Sequence, residues 1–590
     1  MKRTRNDPIK RRIVVVGVLM SLWFAAVGGR AVYLQAFHGD WLSQRASNQY
    51  ERTYEQQAKR GTIFDRNFRE MALSVDATSI GANPGCIQNR VETASALAGA
   101  LNLDGKELIK RLSSKSPFVW VERQITPRET ESVMALSLPG IAFRQEHQRF
   151  YPSRTLAAQV MGFVGIDGRG LEGIEFRYEQ DLKGDTRRLT VLKDALGKGF
   201  SPGQADPLGN CNVSENAEAL VPAGNNVVLT IDRTIQYVVE EALAEAVQKF
   251  DGKSGIAIVM SPSTGAVLAL AHYPFFNPNA YANFPKEILR NRAITDPFEP
   301  GSTLKMFTAA AALEHGGLTP ETQFFCENGS FRVGRHTIRD THPHERLTLQ
   351  EIVQVSSNIG AAKVGARIGA SALHTTLKDF GFGEKTGIDC PGESNGFLLP
   401  FDRWTPIDAC AIAFGQGVSV SVVQLVTAVS AIANDGMLMK PYIVEAITDA
   451  GGRLVKRFSP QKVRQAVSPG TARAVARMLE TVTREGGTAK EAAIEGYRIA
   501  GKTGTAQKVD GGGGYARGKY IASFVGFFPV AQPMATILVM VDEPKKVHYG
   551  GLVAAPAFRK IALELINYMH PETGRPEGGL TASLKRGVRG

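Results

Sequence analysis

Cysteine is scarce in this 590-residue chain. The five residues, Cys86, Cys211, Cys326, Cys390 and Cys410, are odd in number, scattered, and never spaced as C-x-x-C. That pattern indicates neither a disulfide framework nor a zinc site. Charged residues make up only 21% against 43% hydrophobic, with Gly 61 and Pro 29. Disordered, collagenous and low-complexity classes are thereby excluded. Histidine offers one local cluster, His336, His342 and His344 with Glu345, in a polar stretch containing proline. A loop with several histidines is commoner than a ligand set, and the motifs below need no metal, so neither metal nor cofactor is expected.

What is present begins with length, enough for three to five folded units at roughly 100 to 200 residues each. Lys+Arg 69 against Asp+Glu 57 gives a net charge of +12. This favours anionic partners but does not choose among phosphate, nucleic acid and acidic membrane. Lys2, Arg3, Arg5, Lys10, Arg11 and Arg12 precede an uncharged run from Ile13 to Gly29, and Ala31 to Phe37 stays apolar. A run of about 20 residues spans a bilayer, and the basic flank places the N-terminus in the cytoplasm and the chain beyond about residue 38 outside it. The rival is a cleaved signal peptide, but the run exceeds an h-region of about 7 to 15 residues and its small-x-small sites lie inside the apolar segment. Ala409 to Asn434 is also uncharged. It carries six Ser, Thr and Gln side chains (Gln416, Ser419, Ser421, Gln424, Thr427, Ser430) and has no basic flank, so it reads as core.

The expected division is a cytoplasmic tail at 1–12, an anchor at 13–37, a non-catalytic region at 38–222, a catalytic domain at 223–569 and a disordered basic tail at 570–590. The second region reads as elongated α+β, with a helix around Glu92 to Leu112. Pro202 to Asn210 and Val221 to Gly224 mark the boundary. Beyond it come a strand at Val227–Ile231, a helix at Arg233–Phe250, strands at Gly255–Met260 and Ala266–Ala271, a helix-rich middle, strands at Tyr497–Ala506, Ile521–Phe528 and Ala535–Val541, and a last helix near Pro556–Met569. Strands at both ends with helices between predict one mainly antiparallel sheet covered by helices, an α+β fold.

Pro300-Gly301-Ser302-Thr303-Leu304-Lys305 opens a predicted helix running to His315, so Ser302 and Lys305 face the same way. A desolvated, neutral lysine can take the proton when serine attacks a carbonyl. A lone S-x-x-K is weak, since Ser459-Pro460-Gln461-Lys462 also fits, in a polar stretch expected to be a solvated loop. Order and company single out the first copy. Ser356-Ser357-Asn358 follows a capping-box pattern at Thr348 and Glu351, and Lys502-Thr503-Gly504-Thr505 comes later on a strand. S-x-x-K with S-D-N and K-T-G is the motif set of penicillin-recognising serine enzymes, and here Ser357 takes the middle position of the second motif, so the match there is S-x-N with both polar ends kept. Ser356 can relay protons and Asn358 can bond substrate. Lys502 and Thr503 can hold a carboxylate, Gly504 lets a ligand approach the backbone, and the Thr505 and Ser302 N–H groups can form an oxyanion hole. Gly496 to Thr503 also satisfies the phosphate-loop pattern G-x-x-x-x-G-K-[ST], but the four glycines before Tyr515 cannot form the helix such a loop must open.

With these residues the sequence resembles the class B penicillin-binding proteins of the septal D,D-transpeptidase type (penicillin-binding protein 3), over nearly its whole length. Arg60-Gly61-Thr62-Ile63-Phe64-Asp65-Arg66-Asn67 resembles the family's R-G-x-I-x-D-R signature, with Phe68 where glycine is usual. Gly173-Ile174-Glu175, Arg292 to Ser302, Phe414-Gly415-Gln416-Gly417, Gly486-Gly487-Thr488, Phe524 to Pro529 and Tyr549-Gly550-Gly551 also resemble family segments. The resemblance implies a membrane-anchored pedestal or dimerisation-type domain and a transpeptidase domain that cross-links peptidoglycan stem peptides through an acyl-enzyme on Ser302. It implies β-lactams as inhibitors, a SEDS-type membrane glycosyltransferase and other divisome proteins as partners, and no nucleic acid. A glycosyltransferase domain of its own is not expected, because the region after the anchor is short and lacks paired carboxylates. A serine carboxypeptidase or β-lactamase on the same scaffold and a non-enzymatic division scaffold are the alternatives.

Overall fold

The computed structural model describes residues 8–193, 199–200, 222–509 and 514–569. Cys211, the segment Pro202 to Asn210, the basic residues before Pro8 and the tail from His570 lie outside that set. The chain divides into two compact units, Met1–Ala58 with Asp185–Pro222, and Lys59–Gly184 with Ala223–Gly590. Residues 59–184 of the expected non-catalytic region therefore group with the residues that follow 222. In the first unit, helix α1 (Pro8–Phe37) has 30 residues, with none of its side chains buried. At a rise of about 1.5 Å per residue it is long enough to cross a membrane. Its mid-segment is rich in Ile, Val, Leu, Met, Trp and Phe, an exposed apolar surface suited to the hydrocarbon of a bilayer.

The second unit is built on a five-stranded antiparallel sheet. Its strands are β1 (Ser254–Met260), β2 (Val267–Tyr273), β3 (Ala500–Val509), β4 (Tyr515–Phe528) and β5 (Ala535–Asp542), in the order β2-β1-β5-β4-β3. Strands from both ends of the domain meet in the middle, where Leu538 lies opposite Ile258. The turn Ser261–Gly265 closes the first hairpin, with Gly265 at φ +79° bonding back to the Ser261 carbonyl. Every residue of β1 and β5 is buried. A strand shows this only when both faces are covered, and it explains why these strands read as unbroken apolar runs.

The covering helices are α2 (Arg233–Lys249), α3 (Lys305–Glu314), α4 (Leu349–Val355), α5 (Asn358–Ile368), α6 (Val422–Ala433) and α7 (Ala555–Met569). Asp232 caps α2 by accepting from the N–H groups of Thr234 and Ile235. Helices α2 and α7 pack on each other and on the sheet, and α6 packs on β1, β4 and β5. Residues 422–432 of α6 are all buried, so the uncharged stretch Ala409 to Asn434 is core, as its polar content requires. Strand β3 lies at the sheet's edge and leaves one ladder open toward the turn that precedes α3.

Two local predictions change. The expected single helix from Glu92 to Leu112 is two, Arg90–Leu101 and Gly105–Leu112, because Asn102 turns left-handed at φ +53° and Asp104 caps the second. The signature segment is structural. Arg60 is buried, bonding Glu175 and Glu179 at 2.7 Å each, and Arg149 bonds the other Glu175 oxygen at 2.6 Å. Asp65 accepts from the N–H groups of Asn67, Arg69 and Arg233. Phe68, standing where the family has glycine, takes φ +59° itself. Its ring lies 6.2 Å from that of Phe64 and packs on Val228 and Ala446, so packing holds a conformation that glycine adopts freely.

Candidate active site

Ser302 sits on a 3-10 turn, Gly301–Leu304, and the α-helix proper starts at Lys305. The expected continuous helix from Ser302 is thus a tight turn followed by a helix. Residues i and i+3 eclipse in such a turn, which aims the Lys305 amine at the Ser302 hydroxyl. Lys305 Nζ lies 3.0 Å from Ser302 Oγ. It also lies 2.6 Å from the Ser356 carbonyl, 2.7 Å from Asn358 Oδ1 and 3.2 Å from Ser356 Oγ. The two shortest contacts are to oxygens that only accept. A neutral amine has two N–H groups for them, and its lone pair then faces the serine hydroxyls. Burial lowers the Lys305 pKa from 10.5 to about 7, against a smaller upward pull from Asp340.

The second motif arises at a helix break. Thr348 and Glu351 form the expected capping box of α4, which ends at Ser356 in the left-handed region, φ +64°. That conformation turns the Ser356 carbonyl and hydroxyl onto Lys305, strain of the kind that clusters at functional sites. Ser357 then caps α5 through the Gly360 N–H, and Asn358 is that helix's first residue. The Asn358 amide, expected to bond substrate, donates through Nδ2 to the Arg339 carbonyl at 3.0 Å while Oδ1 receives Lys305.

The third motif lies on β3. Lys502 is fully buried, and its Nζ lies 2.9 Å from Ser356 Oγ and 3.3 Å from Thr503 Oγ1. Ser356 Oγ therefore stands between the two lysines. Burial, aided by the charge of Lys305, pushes the Lys502 pKa well down. Thr503 Oγ1 pairs with Thr488 Oγ1 at 3.0 Å. A Cβ on Gly504 would come within 2.3 Å of Ser523 Oγ and 3.0 Å of Thr303, so this glycine seats the strand against the turn that carries Ser302. Thr505 Oγ1 accepts from the Gly550 N–H, and the Thr505 carbonyl borders Gly301. The structure thus brings together Ser302, Lys305, Ser356, Asn358, Lys502 and Thr503, with Gly504 and Thr505 lining the adjoining edge.

The decoys fall elsewhere. Ser459 and Lys462 are exposed, and Lys502 of the phosphate-loop pattern is mid-strand, followed by strand to Val509 and not by a helix. Among the described residues no group of three or more His, Cys, Asp or Glu is arranged for a metal. A groove of about 990 Å³ beside Arg233, Tyr237, Glu240 and Lys560 contains none of these motif residues.

Sequence reasoning missed Asp340. Its carboxylate accepts from Ser357 Oγ at 2.5 Å and from the N–H groups of Asn358 at 2.5 Å and Ile359 at 3.1 Å. An anion at the start of α5 fixes the second motif, and no spacing rule links it to Asn358. Two further ties were quoted only as resemblance. Glu299 accepts from the Gly417 N–H and from Tyr515 Oη. A Cβ on Gly415 would stand 1.9 Å from the Gly301 carbonyl oxygen, so only glycine fits there.

A helix-covered antiparallel sheet with a serine and lysine one turn apart, a bridging serine and a second lysine on the edge strand is the arrangement of the penicillin-recognising serine enzymes. Comparison with known proteins agrees. The penicillin binding protein transpeptidase domain matches residues 255–563, and the penicillin-binding protein dimerisation domain matches residues 55–207. The chain is similar to the probable peptidoglycan D,D-transpeptidase PbpC of Pseudomonas aeruginosa, 36% identical over 93% of this chain and 94% of that one. It is similar to the peptidoglycan D,D-transpeptidase FtsI of Escherichia coli, 33% identical over 94% and 91%. Among solved structures, penicillin-binding protein 3 of Mycobacterium tuberculosis, in complex with aztreonam, superposes with a TM-score of 0.67 at 28% identity, covering 88% of this chain and 97% of that one. The chain belongs to the penicillin-binding protein transpeptidase family, and within it to the class B, penicillin-binding protein 3 type.

Proposed function

We propose that this protein is a peptidoglycan D,D-transpeptidase of the division septum, with Ser302 as nucleophile and Lys305 as its base. The observation that carries the reading is the chain of contacts Ser302–Lys305–Ser356–Lys502, 3.0, 3.2 and 2.9 Å in turn. Ser302 Oγ attacks the carbonyl of the penultimate D-alanine as its proton passes to Lys305. The C–N bond to the terminal D-alanine breaks, and the leaving amine takes a proton returned through Lys305 and Ser356. An amine of a second stem then attacks the ester, and Ser302 recovers its proton. The N–H groups of Ser302 and Thr505 stabilise the oxyanion. Lys502 and Thr503 read the terminal carboxylate, whose negative charge favours the ammonium form of Lys502. A β-lactam imitates the donor and acylates Ser302.

The 30-residue apolar α1 and its basic flank support a single-pass anchor with the N-terminus in the cytoplasm and the catalytic unit outside. A SEDS-type glycosyltransferase and divisome proteins are the partners proposed for the anchor and the non-catalytic region. The test is intact mass after incubation with benzylpenicillin. A long-lived adduct on Ser302, absent in Ser302→Ala, is expected. No adduct on a folded protein overturns the reading in favour of a scaffold, and an adduct that water clears rapidly favours a hydrolase.

A further inference from the structure

Beside the catalytic groups stands a hairpin that the chemistry above does not use. Strands Ser330–Val333 and His336–Arg339 pair antiparallel, with Ser330 opposite Arg339, Phe331 opposite Ile338 and Arg332 opposite Thr337. Side chains alternate along a strand, so Phe331 and Ile338 share one face while Ser330, Arg332, Thr337 and Arg339 share the other. The first face is held. Ile338 is buried, and Lys363 Nζ lies 4.8 Å from the Phe331 ring centre while bonding Glu327 at 2.6 Å. The second face is open to solvent and carries Arg332 and Arg339, with Arg335 at the turn.

Arg332 reaches the Gly334 carbonyl at 3.1 Å, and among the described residues Arg332, Arg335 and Arg339 form no ion pair with a carboxylate. Some exposed arginines elsewhere do, as Arg453 with Asp449, Arg473 with Asp435 and Arg498 with Glu480 show, and others such as Arg128, Arg477 and Arg559 form none among the described residues, so what marks the hairpin's arginines is their place beside the site. The hairpin is also joined to the site by its last two residues. The Arg339 carbonyl accepts from Asn358 Nδ2, and Asp340 holds the start of α5. The cationic face therefore begins at the residue that bonds the catalytic amide.

We propose that the outer face of this hairpin, through Arg339 and Arg332, is a carboxylate subsite for a stem peptide whose D-Ala-D-Ala end occupies the Ser302 site and which carries a carboxylate upstream of it. The inference rests on the reading of that site given above. The terminal carboxylate is already served by Lys502 and Thr503, so the hairpin takes a carboxylate further up the peptide. A guanidinium fork matches a carboxylate in two parallel bonds, and on an exposed face the attraction is modest and weakened by salt.

The test uses the full chain in detergent and two synthetic stem peptides ending in D-Ala-D-Ala, one with its upstream carboxylates free and one with them as amides. Each is scored by how far it slows benzylpenicillin acylation of Ser302. The wild-type chain is expected to bind the acid peptide about fivefold more tightly than the amide, a preference that shrinks with added salt. Arg332→Gln combined with Arg339→Gln is expected to bring the ratio close to one. A wild-type chain that treats the two peptides alike, including one that binds neither, overturns the proposal. So does a double variant that keeps the preference, even if it binds both peptides more weakly, because the hairpin is then structural only. Failure of benzylpenicillin to label wild-type Ser302 would instead sink the reading of the site itself.

Discussion

Lys305 ties the chemistry to pH. With its pKa lowered to about 7 by burial, it is a base above that pH and an ammonium below it. Acylation by benzylpenicillin should therefore fall with each unit of acidification below about pH 7, roughly tenfold where the base limits the rate. A second, alkaline limb is expected if Lys502 holds the carboxylate as an ammonium, and it should lie below the ordinary lysine range because burial pushes the Lys502 pKa down. A second-order acylation rate flat across the acid range would remove Lys305 from the role. The sign for stability follows from the same shift. The unfolded lysine, at 10.5, binds a proton that the folded one releases near 7, so this residue's contribution to stability rises as pH rises between those values. Asp340 is the charge that draws the Lys305 pKa upward, so Asp340→Asn should move the acid limb to lower pH, and an unmoved limb would leave Asp340 a purely structural cap. Residue identities at the three motifs were legible from order and spacing. Asp340 was not, because it meets Asn358 only after the chain folds back on itself.

At the scale of elements, the site depends on how closely β3, the Gly301–Leu304 turn and the Gly415 turn approach one another. The Gly301 N–H bonds the Gly415 carbonyl at 3.1 Å, and Gly415 itself has φ +90°. Gly415→Ala places a methyl against the Gly301 carbonyl and strains a left-handed residue, a combined cost of about 1 to 3 kcal/mol. The turn that carries Ser302 must shift to relieve it. The expected outcome is at least a tenfold loss in acylation rate, with a lowered melting point; a rate within twofold of wild type would show that the turn moves freely. The sequence revealed the strands and long helices, whose apolar runs and caps are local. It did not reveal the split at Asn102 or the 3-10 turn at Ser302. Those are settled by one left-handed residue in the first case and by tertiary packing on Ser302's neighbours in the second.

At the scale of the molecule, a buried ionic knot fastens the stretch from Lys59 to Gly184 within the second unit. Arg60, Arg149 and Glu175 come from three separate segments and are nearly or wholly buried in their side chains. Burial raises the Glu175 pKa, and the two arginines more than offset it, leaving the carboxyl below its usual value. The signature around Arg60 was legible as a family feature, yet its purpose was not, since its partners lie more than a hundred residues away. Residues 59–184 join the unit of residues 223–590 through other long-range contacts that composition could not show, the parallel pairing of Ile63 and Phe64 with Val227 and Val228 and the bond from Tyr178 Oη to Asp389 at 3.0 Å. Removing one member of such a knot leaves charges buried without a counterion, at a cost of about 3 to 5 kcal/mol. Glu175→Ala should thus lower the thermal midpoint sharply. Arg60→Met together with Glu175→Ala should cost less than the sum of the two single changes, because the second removes a partner already unpaired. Thermal unfolding of the wild type, both single variants and the double variant measures this. Strict additivity, or a Glu175→Ala midpoint equal to wild type, would mean that the pairs are well solvated and that packing alone joins the segments. A coupled loss would mean that the R-G-x-I-x-D-R signature persists in this chain as a fastening of the fold that carries Ser302, with no contact to the reacting atoms.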